Sequence, residues 1–250
     1  MIQLKTEAQI REMKLAGRIT GEALALAGEH VKPGVTTKHI DDIVRNHIER
    51  CGAKPSFLGY GGFPGSACIS INNEVIHGIP SKSRIIQDGD IVKVDVGAYI
   101  HGYHGDSANT FACGNISDEA KRLIEATKES FYRGVANAMV GKRLGDIGSA
   151  VEEYNKSCGF SVVREFVGHG IGRELHEDPN VPNYGTAGRG IRLLKGMTLA
   201  IEPMVCEKES KVRVLSDKWT VVTCDGGLSA HYEHTVAITE EGPILLTKID

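Results

Sequence analysis

The chain has 250 residues, of which 41% are hydrophobic and 24% are charged, and its formal net charge is −3. These values are ordinary for a globular protein, and the charge gives no electrostatic reason to expect nucleic acid or an anionic membrane surface as a partner. No apolar run approaches the length of a membrane span and no signal peptide is recognisable, which predicts a cytoplasmic protein.

The first predicted elements are two amphipathic helices. Apolar side chains recur at helical spacing over residues 6–29. A second helix can be capped by Thr36 or Thr37 and ends at Cys51-Gly52, which is typical of a helix C-terminus. After a glycine-rich stretch, short strands are predicted at residues 67–71, 91–98, 103–111, 198–205 and 232–238.

An internal repeat with an offset of 107 residues predicts two related halves. The segment from Gly34 to Cys51-Gly52 aligns with the segment from Gly141 to Cys158-Gly159, and each is a capped amphipathic stretch that ends in Cys-Gly. Few residues are identical, so chance similarity is the alternative. We expect a single α/β domain over residues 1–250, with pseudo-symmetric halves of about 1–112 and 113–250.

The same offset carries Asp95 onto Glu202, and each carboxylate follows a turn and an apolar strand. A pseudo-two-fold axis would bring these two side chains together at the centre. Five residues of types that bind metals occur in the order Asp95, Asp106, His169, Glu202 and Glu233. Four carboxylates and one neutral imidazole carry four negative charges, which matches two divalent cations with room for a bridging water. None of the six cysteines forms a C-x-x-C pair, which argues against a thiolate zinc site and favours free thiols.

Asp95 and Asp106 are predicted to face each other across a hairpin. They are nearly symmetric about Ile100-His101, and Gly102 suits the tight turn. Facing side chains on a hairpin lie about 4.5–5.5 Å apart, so two aspartates would repel unless a cation joined them. The alternative is a pair of surface aspartates, but an apolar strand is a poor place for an unpaired Asp95.

The other three residues also have structural alternatives. A lone histidine is usually only surface or core, but His169 stands between two glycines, which let the backbone come close to a ligand. Glu202 ends an apolar strand and is held by the proline that follows it. Glu233 alone could equally lie on a solvated face; strand alternation places it on the same face as His231. We expect Glu233 to be the partner of Glu202, across a longer connection, as Asp106 is the partner of Asp95.

Five segments then resemble one family, methionine aminopeptidase of type I, over nearly the whole chain. They read CISINNEVIHGIP, VKVDVGAYIHGYHGDSANTF, VGHGIGRELHEDPNVPNY, GMTLAIEPM and YEHTVAIT. Several motifs in order are far more specific than any single match. The resemblance implies the two-halved α/β fold called pita-bread. The compact interval between His169 and Glu233 resembles type I, and the lack of a zinc-binding N-terminal extension in this sequence resembles the short bacterial form.

The resemblance also implies roles for particular residues. The family's metal ligands fall on the five residues above, and Glu202 would also act as general base. Its substrate-side histidines fall on His77 and His176, and its methionine pocket on Tyr60, Phe63, Cys68 and Trp219, with Leu175 nearby. Gly61 stands where some relatives have histidine, and Leu175 where an aromatic residue is common, which concerns the shape of the pocket.

The implied reaction is removal of the N-terminal methionine from peptides and nascent proteins, with a small second residue preferred. The cofactors would be two divalent ions, cobalt, manganese or iron, and the partners nascent chains, with a transient ribosome contact and a monomeric enzyme. Two alternatives remain: a peptidase of the same fold that cuts X-Pro bonds, and a non-catalytic binding module. An oxidoreductase is not supported, because no dinucleotide-binding glycine motif follows a strand.

Overall fold

The computed structural model describes residues 1–249 and contains four long helices. They are α1 (Glu7–Glu29), α2 (Thr37–Arg50), α3 (Asp118–Val135) and α4 (Leu144–Ser157), with one short 3-10 turn at Tyr60–Gly62. Both predicted N-terminal helices are confirmed to within one residue. Thr6 caps α1 by accepting a hydrogen bond from the backbone of Gln9, while the Gln9 side chain accepts one from the backbone of Thr6. The hydroxyl of Thr36 caps α2 by accepting a hydrogen bond from the backbone of His39.

The strands form four sheets. In chain order they are β1 (Lys54–Pro55), β2 (Ala67–Ile71), β3 (Glu74–Ile76), β4 (Ile91–Ile100), β5 (Tyr103–Ala112), β6 (Ser161–Val162), β7 (Gly168–Gly170), β8 (Glu177–Val181), β9 (Thr198–Ile201), β10 (Met204–Cys206), β11 (Val212–Val214), β12 (Val221–Thr223), β13 (Ser229–His231), β14 (His234–Thr239) and β15 (Gly242–Leu245). One sheet joins β1, β2 and β5 to β4, and the order β15-β14-β9-β7-β8 forms the largest. The smaller sheets are β13-β10-β6 and β11-β12-β3.

The strand predicted at 198–205 is broken in two, and the strand predicted at 232–238 begins only at His234, after a break that separates it from β13. Both findings correct the strands expected from the sequence. The breaks fall at Glu202-Pro203 and at Tyr232-Glu233. Pro203 has no N–H to continue a ladder, and the backbone of Glu233 pairs with Ala108 of β5. The chain therefore passes from one sheet to another at the two glutamates.

The hairpin of β4 and β5 has a different register from the one expected. Its turn is His101-Gly102, where both residues have positive φ (52° and 85°), as a type I′ turn requires. The turn lies one residue later than predicted, so Asp95 is opposite Ala108 and Asp106 is opposite Gly97. The two aspartates are therefore diagonal neighbours on one face of the hairpin.

The offset of 107 residues recurs in the structure. It carries α2 onto α4 with both ends matched, and it carries β1 onto β6. The strand pairing repeats as well, since Pro55 lies opposite Ala98 in the first half and Val162 opposite Val205 in the second. Each half has a buried hydrophobic cluster of its own between its helices and its sheet.

The two halves meet along β5 and the β13–β14 segment. Ala108 and Glu233 exchange both backbone hydrogen bonds. On one side the hydroxyl of Thr235 bonds the backbone of Asp106, and on the other the hydroxyl of Thr110 bonds the backbone of His231. This paired arrangement is what a two-fold axis between Ala108 and Glu233 would produce.

This symmetry corrects one expectation about the ligands. On either side of the second break, Ile201 lies opposite His234 and Met204 lies opposite His231. This register sets Glu202 opposite Glu233. Since Asp95 is opposite Ala108, the counterpart of Glu233 is Ala108, and the counterpart of Asp106 is His231. Glu233 is therefore not the second-half equivalent of Asp106, although the sequence suggested that it was.

None of the helices described over residues 1–249 is long and apolar enough to cross a membrane.

Candidate metal centre

The structure brings the five predicted ligands together where the halves meet. Nε2 of His169 lies 3.8 Å from Oδ2 of Asp106 and 3.6 Å from Oε1 of Glu202. Ligand atoms of Asp106, His169 and Glu233 all lie within 4.8 Å of one another. Asp95 occupies the same face of the hairpin as Asp106, diagonal to it. Each ligand comes from a different strand or strand end, so the backbone of both halves fixes the cluster.

The donor set fits divalent cations. Asp106 and Glu233 are almost completely buried, and within the described chain one carboxylate oxygen each of Asp95, Asp106 and Glu233 has no hydrogen-bond partner. Buried carboxylates without a partner are costly, and a cation removes that cost. Nδ1 of His169 lies 2.8 Å from the carbonyl oxygen of Gly170, so it donates there and leaves the Nε2 lone pair for a metal.

Burial changes the ionisation of every ligand. It raises the pKa of Asp95 to about 7 and that of Glu202 to about 8. It also raises the pKa values of Asp106 and Glu233 well above the ordinary range, and the neighbouring carboxylates add to the rise. Burial lowers the pKa of His169 to about 3, so its imidazole is neutral at physiological pH. The carboxylates hold protons near neutrality that a cation must displace.

Proton release should therefore accompany metal binding. At pH 6.5, below the raised pKa values of Asp95 and Glu202, we expect Mn(II) binding to release at least one proton per chain. The number should fall as the pH rises toward 9, because these two carboxylates then ionise before the cation arrives. Calorimetric titration in two buffers of different ionisation enthalpy counts the protons. If Mn(II) binding released a negligible number of protons at both pH 6.5 and pH 9, the assignment of these carboxylates as metal ligands would be contradicted.

The glycines beside His169 serve packing between strands. A Cβ on Gly168 would lie 2.3 Å from the carbonyl oxygen of Ala200, and one on Gly170 would lie 2.2 Å from that of Asp178. The close approach expected from the sequence is thus an approach to neighbouring strands and not to a ligand. Only glycine lets β7 sit between β8 and β9 and place the imidazole at the centre.

A cavity of about 180 Å³ opens onto the cluster. It is smaller than the roughly 300–1,000 Å³ of cavities that hold drug-sized ligands, so it suits a single side chain. All the substrate-side residues predicted from the sequence line it: Tyr60, Phe63, Cys68, His77, His176 and Trp219. Leu175 and Phe57 line it as well. Phe57 was missed; its place in the aromatic, glycine-rich stretch before β2 was the available signal.

The two substrate-side histidines are held in different ways. Nδ1 of His176 lies 2.7 Å from the hydroxyl of Tyr60, and its ring centroid is 4.2 Å from that of His169. His77 has a left-handed backbone conformation (φ 59°), which is uncommon for a residue with a side chain and is frequent at functional sites. Burial lowers the pKa of His77 to about 4 and also lowers that of His176. Both rings are therefore neutral near pH 7, with one N–H each.

Of the two positions that differ from the resembled family, Leu175 lines the cavity and Gly61 lies next to Trp219 of its apolar wall. The rings of Phe63 and Trp219 pack edge to face with centroids 5.1 Å apart. Gly61 has a φ of 56°, and a Cβ there would lie 3.3 Å from the Trp219 ring. Leu175 is buried in the hydrophobic cluster that contains Phe63. A larger residue at either position would change the wall of the cavity.

One further histidine reaches the cluster. His231 is 1% exposed, and its Nε2 lies 3.6 Å from Oε2 of Glu202 and 3.9 Å from Oε2 of Glu233. The sequence placed it on the same face as Glu233 but gave it no role. Strand alternation was the feature of the sequence that could have drawn attention to His231. The structure agrees with this alternation, because Tyr232 and His234 lie on the other face and pack against Phe131.

Comparison with known proteins places the chain in a family. The model of metallopeptidase family M24 matches residues 11–240. A methionine aminopeptidase of Clostridium acetobutylicum is 56% identical, with 99% of each chain covered. The crystal structure of a methionine aminopeptidase from Thermotoga maritima is 46% identical, covers all of both chains and superposes with a TM-score of 0.98. A prolidase from Pyrococcus furiosus superposes with a TM-score of 0.79 at 26% identity, and the match covers 99% of this chain and 66% of the prolidase.

These matches confirm the α/β pita-bread fold predicted from the sequence. The family model spans most of the chain, and relatives far above 30% identity are matched along their full length. The chain therefore belongs to metallopeptidase family M24.

Proposed function

We propose that this metallopeptidase removes the N-terminal methionine from peptides and nascent polypeptides. The observation that carries the proposal is one small cavity with two unlike walls. One wall is the cluster of four carboxylates and His169, and the other is apolar and aromatic. Relatives similar over their whole length are named methionine aminopeptidases, which supports the same conclusion.

Glu202 is proposed to act as the general base. Divalent cations bound by the five ligands would lower the pKa of a coordinated water and polarise the scissile carbonyl. Glu202 lies beside His169 and keeps slight exposure to the cavity, so its carboxylate can accept a proton from water there.

The neutral histidines are proposed to assist at the scissile bond. His176 has its Nδ1 engaged with the hydroxyl of Tyr60, which leaves its Nε2 for a substrate. Its ring lies next to that of His169, so it can donate a hydrogen bond to an oxyanion formed at the cluster. His77 lies against Trp219 on the apolar side and is proposed to bond the scissile amide nitrogen.

The shape and charge of the cavity support specificity for a terminal methionine. A thioether side chain suits the pocket of Phe63, Cys68, Leu175 and Trp219, because sulfur makes favourable contacts with aromatic edges. The carboxylate cluster attracts a free α-amine, which only the first residue of a peptide has. A volume of about 180 Å³ leaves little room beyond that residue, which favours a small second residue.

The number and identity of the cations are part of the proposal. Four carboxylates balance two divalent ions, and an oxygen-rich set with one imidazole favours manganese, iron or cobalt. All the residues involved come from one chain, so a monomer is sufficient. The six cysteines are free, which is consistent with a reducing cytoplasm where a transient ribosome contact would give access to nascent chains.

An X-Pro peptidase is the second candidate, because the prolidase from Pyrococcus furiosus shares the fold. We expect kcat/KM for Met-Ala-Ser to exceed that for an Ala-Pro peptide by about 50-fold or more. The reason is that the three additional side-chain heavy atoms of methionine contribute about 0.8 kcal/mol each when buried. Both peptides should be assayed with the same Mn(II)-loaded enzyme.

Faster cleavage of the Ala-Pro peptide would favour the second candidate. A loaded chain that cuts neither peptide would favour a non-catalytic binding module.

A further inference from the structure

His231 is a buried histidine whose ring nitrogens have no hydrogen-bond partner among residues 1–249. It lies at the end of β13 and is 1% exposed. Nearly all buried polar side-chain atoms in proteins have a partner, so two free nitrogens on one ring call for a physical explanation. The nearest charged groups are Glu202 and Glu233.

The carboxylate of Glu202 lies between two imidazoles. Its Oε1 is 3.6 Å from Nε2 of His169, and its Oε2 is 3.6 Å from Nε2 of His231. His231 is also the second-half counterpart of Asp106, so the pseudo-symmetry directs its side chain toward the same centre. The distance of 3.6 Å between Oε2 and Nε2 of His231 is just longer than a hydrogen bond, so a small movement of the carboxylate would be enough to form one.

The tautomers distinguish the two histidines. Nδ1 of His169 donates to the carbonyl oxygen of Gly170, the arrangement that leaves Nε2 free for a metal. Nδ1 of His231 has no acceptor within the described chain. If Nε2 of His231 bound a metal, its Nδ1–H would be a buried donor without a partner, which is rare. If Nε2 carries the proton, the ring can donate to Glu202 and only a lone pair is left free.

We propose that His231 is a positioning residue that donates its Nε2–H to Oε2 of Glu202. The hydrogen bond fixes the plane of the carboxylate and presents Oε1 to the cluster beside His169. This inference rests on the proposed role of Glu202 as ligand and general base. The donor also reduces the cost of the Glu202 charge in a buried site.

His231→Gln and His231→Leu test this role, because glutamine places an N–H donor at the reach of Nε2 and leucine does not. Partners that orient a metal ligand are typically worth about 10–100-fold in metal affinity or activity. In calorimetry of the metal-stripped chain with Mn(II), we expect His231→Leu to weaken binding by about that factor with unchanged stoichiometry. His231→Gln should stay within about threefold of the wild type, because the donor is kept.

His30→Leu is the matched control, since it removes a partly buried histidine that does not line the cavity and whose Nδ1 bonds the carbonyl oxygen of Leu26. Its Mn(II) affinity should be unchanged. For Met-Ala-Ser, His231→Leu should lower kcat about 10–100-fold with little change in KM, and His231→Gln should restore it.

Two results would overturn the proposal: loss of a bound cation in both His231 variants, which would make His231 a ligand, or wild-type affinity in both. The calorimetric readout is independent of turnover. If the wild-type enzyme failed to cut Met-Ala-Ser, the proposed function would fail, while the Mn(II) affinities would still decide the role of His231.

Discussion

Replacing Glu202 by glutamine is expected to lower kcat for Met-Ala-Ser by about 10²–10⁴, the usual contribution of a general base. The amide keeps the size of the side chain but cannot accept the proton. Its place beside His169 and at the lining of the cavity makes Glu202 the proposed ligand best suited to this step. Turnover of Met-Ala-Ser at saturating Mn(II) is the measurement.

The matched control for this variant is Glu240→Gln, which changes an exposed glutamate in the turn that follows β14. Its turnover should equal that of the wild type. If Glu202→Gln bound Mn(II) normally and kept full turnover, another residue would have to be the base.

Replacing His169 by alanine should be more damaging, because it removes the only imidazole among the five proposed ligands. Cations contribute several kcal/mol to catalysis of this kind, so we expect turnover to fall by about 10³-fold or more. The stoichiometry or affinity of Mn(II) should fall with it. Calorimetry and the Met-Ala-Ser assay on one preparation measure both quantities.

His39→Ala serves as the control, since His39 is an exposed histidine near the start of α2. Its metal content and turnover should match those of the wild type. Undiminished turnover in His169→Ala would remove His169 from the site.

Local patterns predicted the fold well where local chemistry decides it. Thr6 and Thr36 cap their helices as their residue types suggest, and His101-Gly102 closes the hairpin because both residues adopt positive φ. The repeat could be recognised in the sequence because corresponding glycines end turns in both halves. Gly34 and Gly141 have φ values of 87° and 90°.

Contacts between distant segments could not be read in the same way. The break at Glu233 depends on the pairing of Glu233 with Ala108 across the two halves, which no local pattern reveals. The position of the turn, one residue later than symmetry about Ile100-His101 suggested, shifted the partner of Asp95 by two residues.

The candidate site was likewise predictable from the sequence only in part. Residue types and order predicted the five ligands, and the resemblance to a known family predicted the lining of the cavity; the fold brings all of these residues together. The role of His231 was not recognisable, because its counterpart in the first half is an aspartate and the correspondence emerges only from the strand register.

The most direct test of the account is reconstitution of the metal-stripped enzyme. Met-Ala-Ser turnover should be absent after chelation and return in proportion to bound cation when Mn(II), Co(II) or Fe(II) is added under anaerobic conditions. Full turnover by the stripped chain, or none by a chain carrying its full complement of metal, would contradict it.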